Sequence, residues 1–160
     1  MKKEAAKRSC LAPRPNILVS CKGKDGRENA LAVAYAGNCS YAPPMLMVGI
    51  VPSRFSYKLI KESGVMVVNI VPKSYGEEYK YLGSASGRDE DKLKNINTRA
   101  ADTIDCPILS DCPVNIEGTI VDSIVTGSHE MFVMKVEKVH ADEEYLNEDG
   151  SIDFSKIDLL

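Results

Sequence analysis

The chain has 160 residues, with 20 Lys and Arg against 23 Asp and Glu and a formal net charge of −3. That length suits one domain, which buries roughly 68–70% of its unfolded surface and needs no disulfide or metal to hold a core. The near balance of charge argues against a general nucleic-acid or anionic-membrane binder, and no apolar run reaches the ~20 residues of a membrane span.

The N-terminus, "MKKEAAKRSCLAPRP", is basic but has no apolar h-region, so it does not read as a secretion signal. Lys2, Lys3, Lys7 and Arg8 read as a solvated helical tail, and residues 1–13 as a tail on a single domain spanning 1–160. The five cysteines (Cys10, Cys21, Cys39, Cys106 and Cys112) are odd in number and lack C-x-x-C spacing. They read as reduced thiols of a cytoplasmic protein. Cys106 and Cys112 bracket "PILSD" with no histidine beside them, so they are read as small apolar residues and no metal site is assigned.

"NILVSC" (Asn16 to Cys21) is short, apolar and β-branched, the pattern of a strand. Asp25-Gly26 is a turn signal, and "ENALAVAYAG" after it completes a hairpin. Ala30, Ala32, Ala34 and Ala36 suit helix by propensity, but the preceding turn favours strand. A strand lined with alanines leaves room for something flat against its backbone. "NCSYAPP" reads as a loop, since Pro43-Pro44 block both helix and ladder. "MLMVGIV" reads as a buried strand.

A helix is expected from Ser53 as N-cap to Gly64 just past its end, with Phe55, Leu59 and Ile60 on one face. "VMVVNIV" (Val65 to Val71) is the next strand. From Lys73 to Asn97 the chain is polar, with Tyr75, Tyr79 and Leu82 marking a helical turn or two. "VNIEGTIVDSIV" and "HEMFVMKVEKVH" form an antiparallel hairpin across "TGS", and the final "EYLNEDGSIDFSKIDLL" is mostly surface. About six short strands with short connecting helices point to a mainly β protein, a small closed or nearly closed antiparallel barrel.

The familiar catalytic and nucleotide signatures are absent: no G-x-S-x-G, no Walker lysine, no strand-turn-helix G-x-G-x-x-G. Two segments share one chemistry instead. "PSRFS" sets Ser53, Arg54 and Ser56 at a helix start, where free N–H groups and the positive dipole end already favour an anion. "SASGRDEDK" offers Ser84 and Ser86 as donors, Gly87 for close backbone approach, and Arg88 and Lys92 as cations. Each alone is better read as a cap or a solvated surface. Together, beside an alanine-lined strand, they suggest a flat phosphate-bearing ligand such as a nucleotide or flavin.

The order "DGRENALAVA", "SYAPPMLMVGIVPSRFSYKLIKESGVMVVNIV", "GSASGRDEDK", "TGSHEMFVMKVEKV" resembles the flavin reductase-like, FMN-binding split-barrel family, near flavoredoxin and the archaeal ferric reductase. The resemblance runs from about Pro15 to His140. It implies a split β-barrel of Greek-key type, a homodimer, and FMN held near the dimer interface. By position, it assigns Asn29, Ala30 and Ala32 to the strand along the isoalloxazine, and Ser40 and Tyr41 to the loop under the ring. Ser53, Arg54 and Ser56 then form a phosphate-contacting turn, and Ser86, Arg88 and Lys92 a second phosphate or ribityl contact. His129 falls on a histidine near the nicotinamide; its plainer reading is a barrel-rim histidine satisfied by hydrogen bonds. Members usually run a few tens of residues past "DFSKIDLL" and add a strand close to the flavin, so either a tail is missing here or the site is more open.

The implied activity is an NAD(P)H-dependent flavin or ferric reductase that passes electrons to flavin, iron or a redox partner protein. The alternatives are a flavoredoxin-type electron carrier reduced by a protein partner, without its own NAD(P)H site, and a domain that has lost its cofactor.

Overall fold

The computed structural model describes residues 1–160. Seven strands form one antiparallel sheet in the order β2-β1-β5-β8-β9-β4-β3. Strands β1 (Ile17–Lys22) and β2 (Glu28–Val33) make the first hairpin, turned at Gly26 with φ 84°. Strands β3 (Ala36–Tyr41) and β4 (Pro44–Ile50) make the second, and β5 (Val65–Ile70) pairs with the far side of β1. The long hairpin β8 (Val114–Val125) and β9 (Glu130–Ala141) bridges β5 to β4. Short strands β6 (Thr98–Ala100) and β7 (Pro107–Leu109) pair separately.

The sheet rolls into a barrel because alternate residues of its strands share one apolar interior. Ile17, Val19 and Cys21 of β1 meet Leu31 and Val33 of β2, Val48 and Ile50 of β4, Met66 and Val68 of β5, and Phe132 and Met134 of β9. The roll brings the end of β2 against β4, where the Gly49 N–H donates to the Tyr35 carbonyl at 2.7 Å. No ladder joins β2 to β3 or β4, so the barrel is split and β2 keeps one edge free of strand neighbours.

Helix α1 (Phe55–Ser63) plugs the interior with Leu59 and Ile60. Gly64 ends it in the left-handed region at φ 71°, its N–H bonded to the Ile60 carbonyl. Its start differs from expectation. The Arg54 N–H closes a turn onto the Val51 carbonyl at 2.9 Å, Arg54 takes the N-cap position, and no side chain caps the helix. Ser53 therefore lies outside the helix, and its hydroxyl is not used as a cap.

Helix α2 (Gly76–Ser84) covers the outer face of β1 and β2, where Leu18, Ala30, Tyr75, Leu82 and Leu109 form a second core. "NCSYAPP", expected as a loop, is instead largely strand. β3 is an edge strand with a bulge at Cys39, only Ala42 and Pro43 form the turn, and Pro44 opens β4 opposite Tyr41. Prolines in a turn and at a strand's first residue cost the ladder nothing. The basic N-terminal stretch contains no helix. Cys106 and Cys112 belong to different buried clusters, and burial pushes Cys112, like Cys21, up to about 12. No helix is long and apolar enough to cross a membrane.

Candidate functional site

A cavity of about 130 Å³ lies where β2, the turn before α1 and the segment after α2 converge. Asn29, Leu31 and Ala32 all line it. Successive strand residues point to opposite faces, so a cavity that touches both parities looks at β2 edge-on. That is the edge without a strand partner. Ser53, Arg54 and Ser56 line one side, and Ser84, Ser86, Gly87, Arg88 and Lys92 the other.

The two sides are tied together. The Arg88 guanidinium donates to the Ser53 carbonyl at 2.8 Å, and the Asn29 amide donates to Ser56 Oγ at 2.8 Å. Arg27 donates to the Gly87 carbonyl at 3.0 Å, with its guanidinium 4.6 Å above the centre of the Phe55 ring. Gly87 is required by space: a Cβ there would sit 2.5 Å from Phe55 and 2.8 Å from Asn29 Oδ1.

The electrostatics are one-sided. No Asp or Glu lines the cavity. Lys92 is 3% exposed, forms no ion pair, and donates only to the Leu82 carbonyl at 2.6 Å. Burial pulls its amine down to about 8, and the nearby Arg54 cation adds to the effect. The buried Asn29 Oδ1 has no donor. A buried cation without a counter-ion, an exposed guanidinium and several hydroxyls form a cradle for an anion with hydroxyls attached. These residues fit the phosphate and ribityl end of FMN.

The structure thus gathers Asn29, Ala32, Ser53, Arg54, Ser56, Ser86, Arg88 and Lys92, and leaves four residues elsewhere. The Ala30 side chain is fully buried beneath α2. A Cβ on Gly83 would lie 3.0 Å from that of Ala32, so the small residues of β2 make room for this helix; what β2 offers the cavity is its edge. Ser40 and Tyr41 sit at the tip of the β3–β4 hairpin, Tyr41 93% exposed. His129 lies in the β8–β9 turn, its Nδ1 2.7 Å from Ser128 Oγ and its ring edge-on to Tyr35 at 4.9 Å. It lines a different cavity, of about 530 Å³, with the N-terminal segment, Met47 and Met131. Tyr35 is six residues beyond Asn29, or roughly 20 Å along extended chain.

Sequence reasoning missed Arg27. Its place depends on a contact with Gly87, sixty residues away, that no local pattern encodes.

A second cluster, Asp102, Glu117 and His140, has metal-ligand chemistry but is internally satisfied. Glu117 is fully buried and accepts from Thr103 Oγ1 at 2.5 Å, from the Asp102 and Thr103 N–H groups, and pairs with His140 Nε2 at 2.6 Å. Asp102 pairs with Lys138 and Arg99. The cluster clamps the β6–β7 connection onto the long hairpin.

Comparison with known proteins agrees with this architecture. Flavoredoxin of Desulfovibrio vulgaris (Miyazaki F) superposes with a TM-score of 0.91 at 30% identity, over 99% of this chain and 86% of that one. Flavoredoxin from Methanosarcina acetivorans does so with a TM-score of 0.92 at 26% identity, over 100% and 85%. Among curated sequences, an uncharacterized protein of Aeropyrum pernix is 26% identical over 123 residues, and one of Archaeoglobus fulgidus 27% over 112. Those alignments cover 75% and 69% of this chain but only 47% and 63% of the two relatives. Residues 9–154 match the flavin reductase-like domain, and the chain belongs to that family.

Proposed function

We propose that this chain is an FMN-binding flavoprotein of the cytoplasm that accepts reducing equivalents from NAD(P)H and passes them to free flavin, ferric iron or a redox protein. One observation carries the reading: a cavity without carboxylates, into which a buried, unpaired Lys92 and an unpartnered Asn29 carbonyl are built.

In this reading Lys92, Arg54 and Arg88 hold the phosphate charge, and Ser53, Ser56 and Ser86 donate hydroxyl hydrogen bonds. Asn29 Oδ1 accepts from a ribityl hydroxyl, and the free edge of β2 at Leu31 and Ala32 supplies backbone groups. When bound, the flavin supplies the redox chemistry, and the protein supplies binding, orientation and electrostatics. His129, oriented by Ser128 and Tyr35, serves as a positioning group for the electron donor. We place Ser40 and Tyr41 in the site of a second copy, as a homodimer allows. The exposed Val121, Ile124, Val125 and Val139 of the long hairpin give such a dimer an apolar surface.

A second reading is an electron carrier reduced by a protein partner. It is favoured by the N-terminal segment Arg8–Pro15, which lines the His129 cavity and leaves less room for a nicotinamide. A visible spectrum of the purified protein with added FMN, before and after anaerobic NADPH or NADH, tests both. Bleaching by the nucleotide supports the reductase. A yellow protein that does not bleach supports the carrier, and one that stays colourless with FMN removes both.

A further inference from the structure

The cavity beside His129 shares no residue with the cradle. Its lining is rich in sulfur. Cys10, Met47 and Met131 border it together with His129, and no Asp or Glu does.

The topology explains how these groups meet. Val48, Ile50, Phe132 and Met134 fill the barrel core, so Met47 and Met131, one residue out of phase, stand on the outer face of β4 and β9. Met47 pairs with Val133 and Gly49 with Met131, which makes the two methionines diagonal neighbours, roughly 7–8 Å apart. Gly49 leaves the floor beside them bare, and the Met131 sulfur takes that space: a Cβ on Gly49 would lie 2.6 Å from Met131 Sδ and 3.3 Å from Tyr35 Cβ. Tyr35 joins the parts. Its ring meets His129 edge-on at 4.9 Å, its Cβ and the Met131 sulfur flank the same point above Gly49, and its hydroxyl hydrogen-bonds Ser9 Oγ, next to Cys10. Ser128 Oγ engages His129 Nδ1 at 2.7 Å, and Nε2 has no partner. A hydrogen bond at one ring nitrogen fixes an imidazole and leaves the other for a metal.

We propose that Cys10, Met131 and His129, with Met47 at the rim, form a binding site for copper(I). Thiolate, thioether and imidazole are soft donors that favour this ion over magnesium, calcium or manganese, which want oxygen ligands. The charge agrees. Arg8 and Arg14 also border the cavity, and no carboxylate there offsets a divalent ion. A monovalent ion on one thiolate is neutral. The thiol proton leaves to solvent on binding and the copper stays monovalent, so the step needs no oxidant or reductant. Entry is open, since Cys10 is exposed and Met47 is 40% exposed. The unbranched Met47 side chain has the freedom to turn its sulfur towards the ion. The site does not depend on the flavin reading of the cradle.

The test is an anaerobic titration of the purified full chain with copper(I), in competition with a chromophoric copper(I) chelator such as bicinchoninate. One ion should bind per chain. Cys10→Ser, Met131→Leu and His129→Ala should each weaken binding by about tenfold or more, the effect of losing one ligand worth 1.4 kcal/mol. Cys39→Ser, which removes the other exposed thiol, should leave affinity within about twofold. X-ray absorption at the copper edge should show both sulfur and nitrogen neighbours. Circular dichroism melts of each variant separate a lost ligand from a lost fold. No copper bound, one ion per two chains, or affinity indifferent to Met131→Leu and His129→Ala would overturn the site, the last two outcomes assigning the ion to exposed thiols alone.

Discussion

The Asn29 amide donates to Ser56 Oγ at 2.8 Å, while its own carbonyl oxygen is buried without a donor. One side chain thus fastens the free-edge strand to the first turn of α1 and keeps an acceptor in reserve. A buried acceptor without a partner costs about 1–3 kcal/mol. Asn29→Leu removes the orphan carbonyl but takes its donor from the buried Ser56 Oγ, two effects of opposite sign, so the melting temperature of the flavin-free protein should change by only a few degrees. FMN affinity should fall by roughly tenfold, the worth of one well-placed hydrogen bond. Lost stability with unchanged affinity would make Asn29 a structural tie alone.

Lys92 gives opposite pH slopes for stability and binding. Its amine is held at about 8 in the fold, against an ordinary 10.5. Between those values the unfolded chain binds a proton that the native state has released, so Lys92 contributes stability that rises with pH. An anion favours the ammonium form, so FMN affinity should fall as pH climbs through 8. Lys92→Met should flatten both slopes. Calorimetry in buffers of different ionisation enthalpy should detect proton uptake on binding near pH 9, and no uptake would separate Lys92 from the ligand.

The Arg54 side chain is exposed and makes no hydrogen bond, so Arg54→Ala should change stability by less than ~0.5 kcal/mol. As a phosphate contact it is worth ~1.5–3 kcal/mol, or roughly ten- to a hundredfold in FMN affinity. Riboflavin lacks the phosphate and should bind the variant as before. The FMN loss should shrink as salt rises. Equal weakening of both ligands would place Arg54 away from the phosphate.

Acid should loosen the barrel at two points. Burial pushes Glu117 up, but hydrogen bonds from Thr103, Asp102 and His140 outweigh it and hold the carboxyl at about 2. Glu130 is held at about 2 by Ser123, Tyr57 and Lys61, which tie α1 to the long hairpin. Both groups stabilise the fold above their ordinary 4.5, and that stability is lost as pH falls from 4.5 towards 2. Glu117→Gln should lower stability at pH 7 and reduce the steepness of acid unfolding followed by circular dichroism. An unchanged acid limb would show that the clamp carries no stability.

The sequence was most legible where one rule acted alone. Alternating or β-branched runs located β1, β4, β5 and the β8–β9 hairpin, and Gly64 marked the end of α1. It misled where a tertiary setting chose among local options. Pro43 and Pro44 read as loop because a proline blocks a central ladder, but β3 is an edge and the turn holds one of them. The alanines of β2 read as a bed for a flat ligand, and their side-chain space at Ala30 is filled by α2. Strands β6 and β7, three residues each, are too short to show a period. Both polar segments line one cavity, and each was visible in the sequence because donors and cations concentrated at a helix start and a glycine loop need no long-range information. The place of Arg27 emerged only when the chain had brought residues 27 and 87 together.

The unpartnered edge of β2 has a consequence for handling the protein. An open strand edge is a template for pairing with another chain, and natural sheets protect such edges. Here the turn before α1 and the loop after α2 stand beside that edge with a cavity between them and the strand. An occupant of the cavity would therefore double as an edge guard, hiding backbone groups that a neighbouring molecule could otherwise extend into an intermolecular sheet. Flavin-stripped preparations should aggregate sooner on warming than loaded ones, and by strand addition, visible as a low-frequency amide I band. On the proposed flavin reading, supplying flavin during expression would guard that edge as the chain folds.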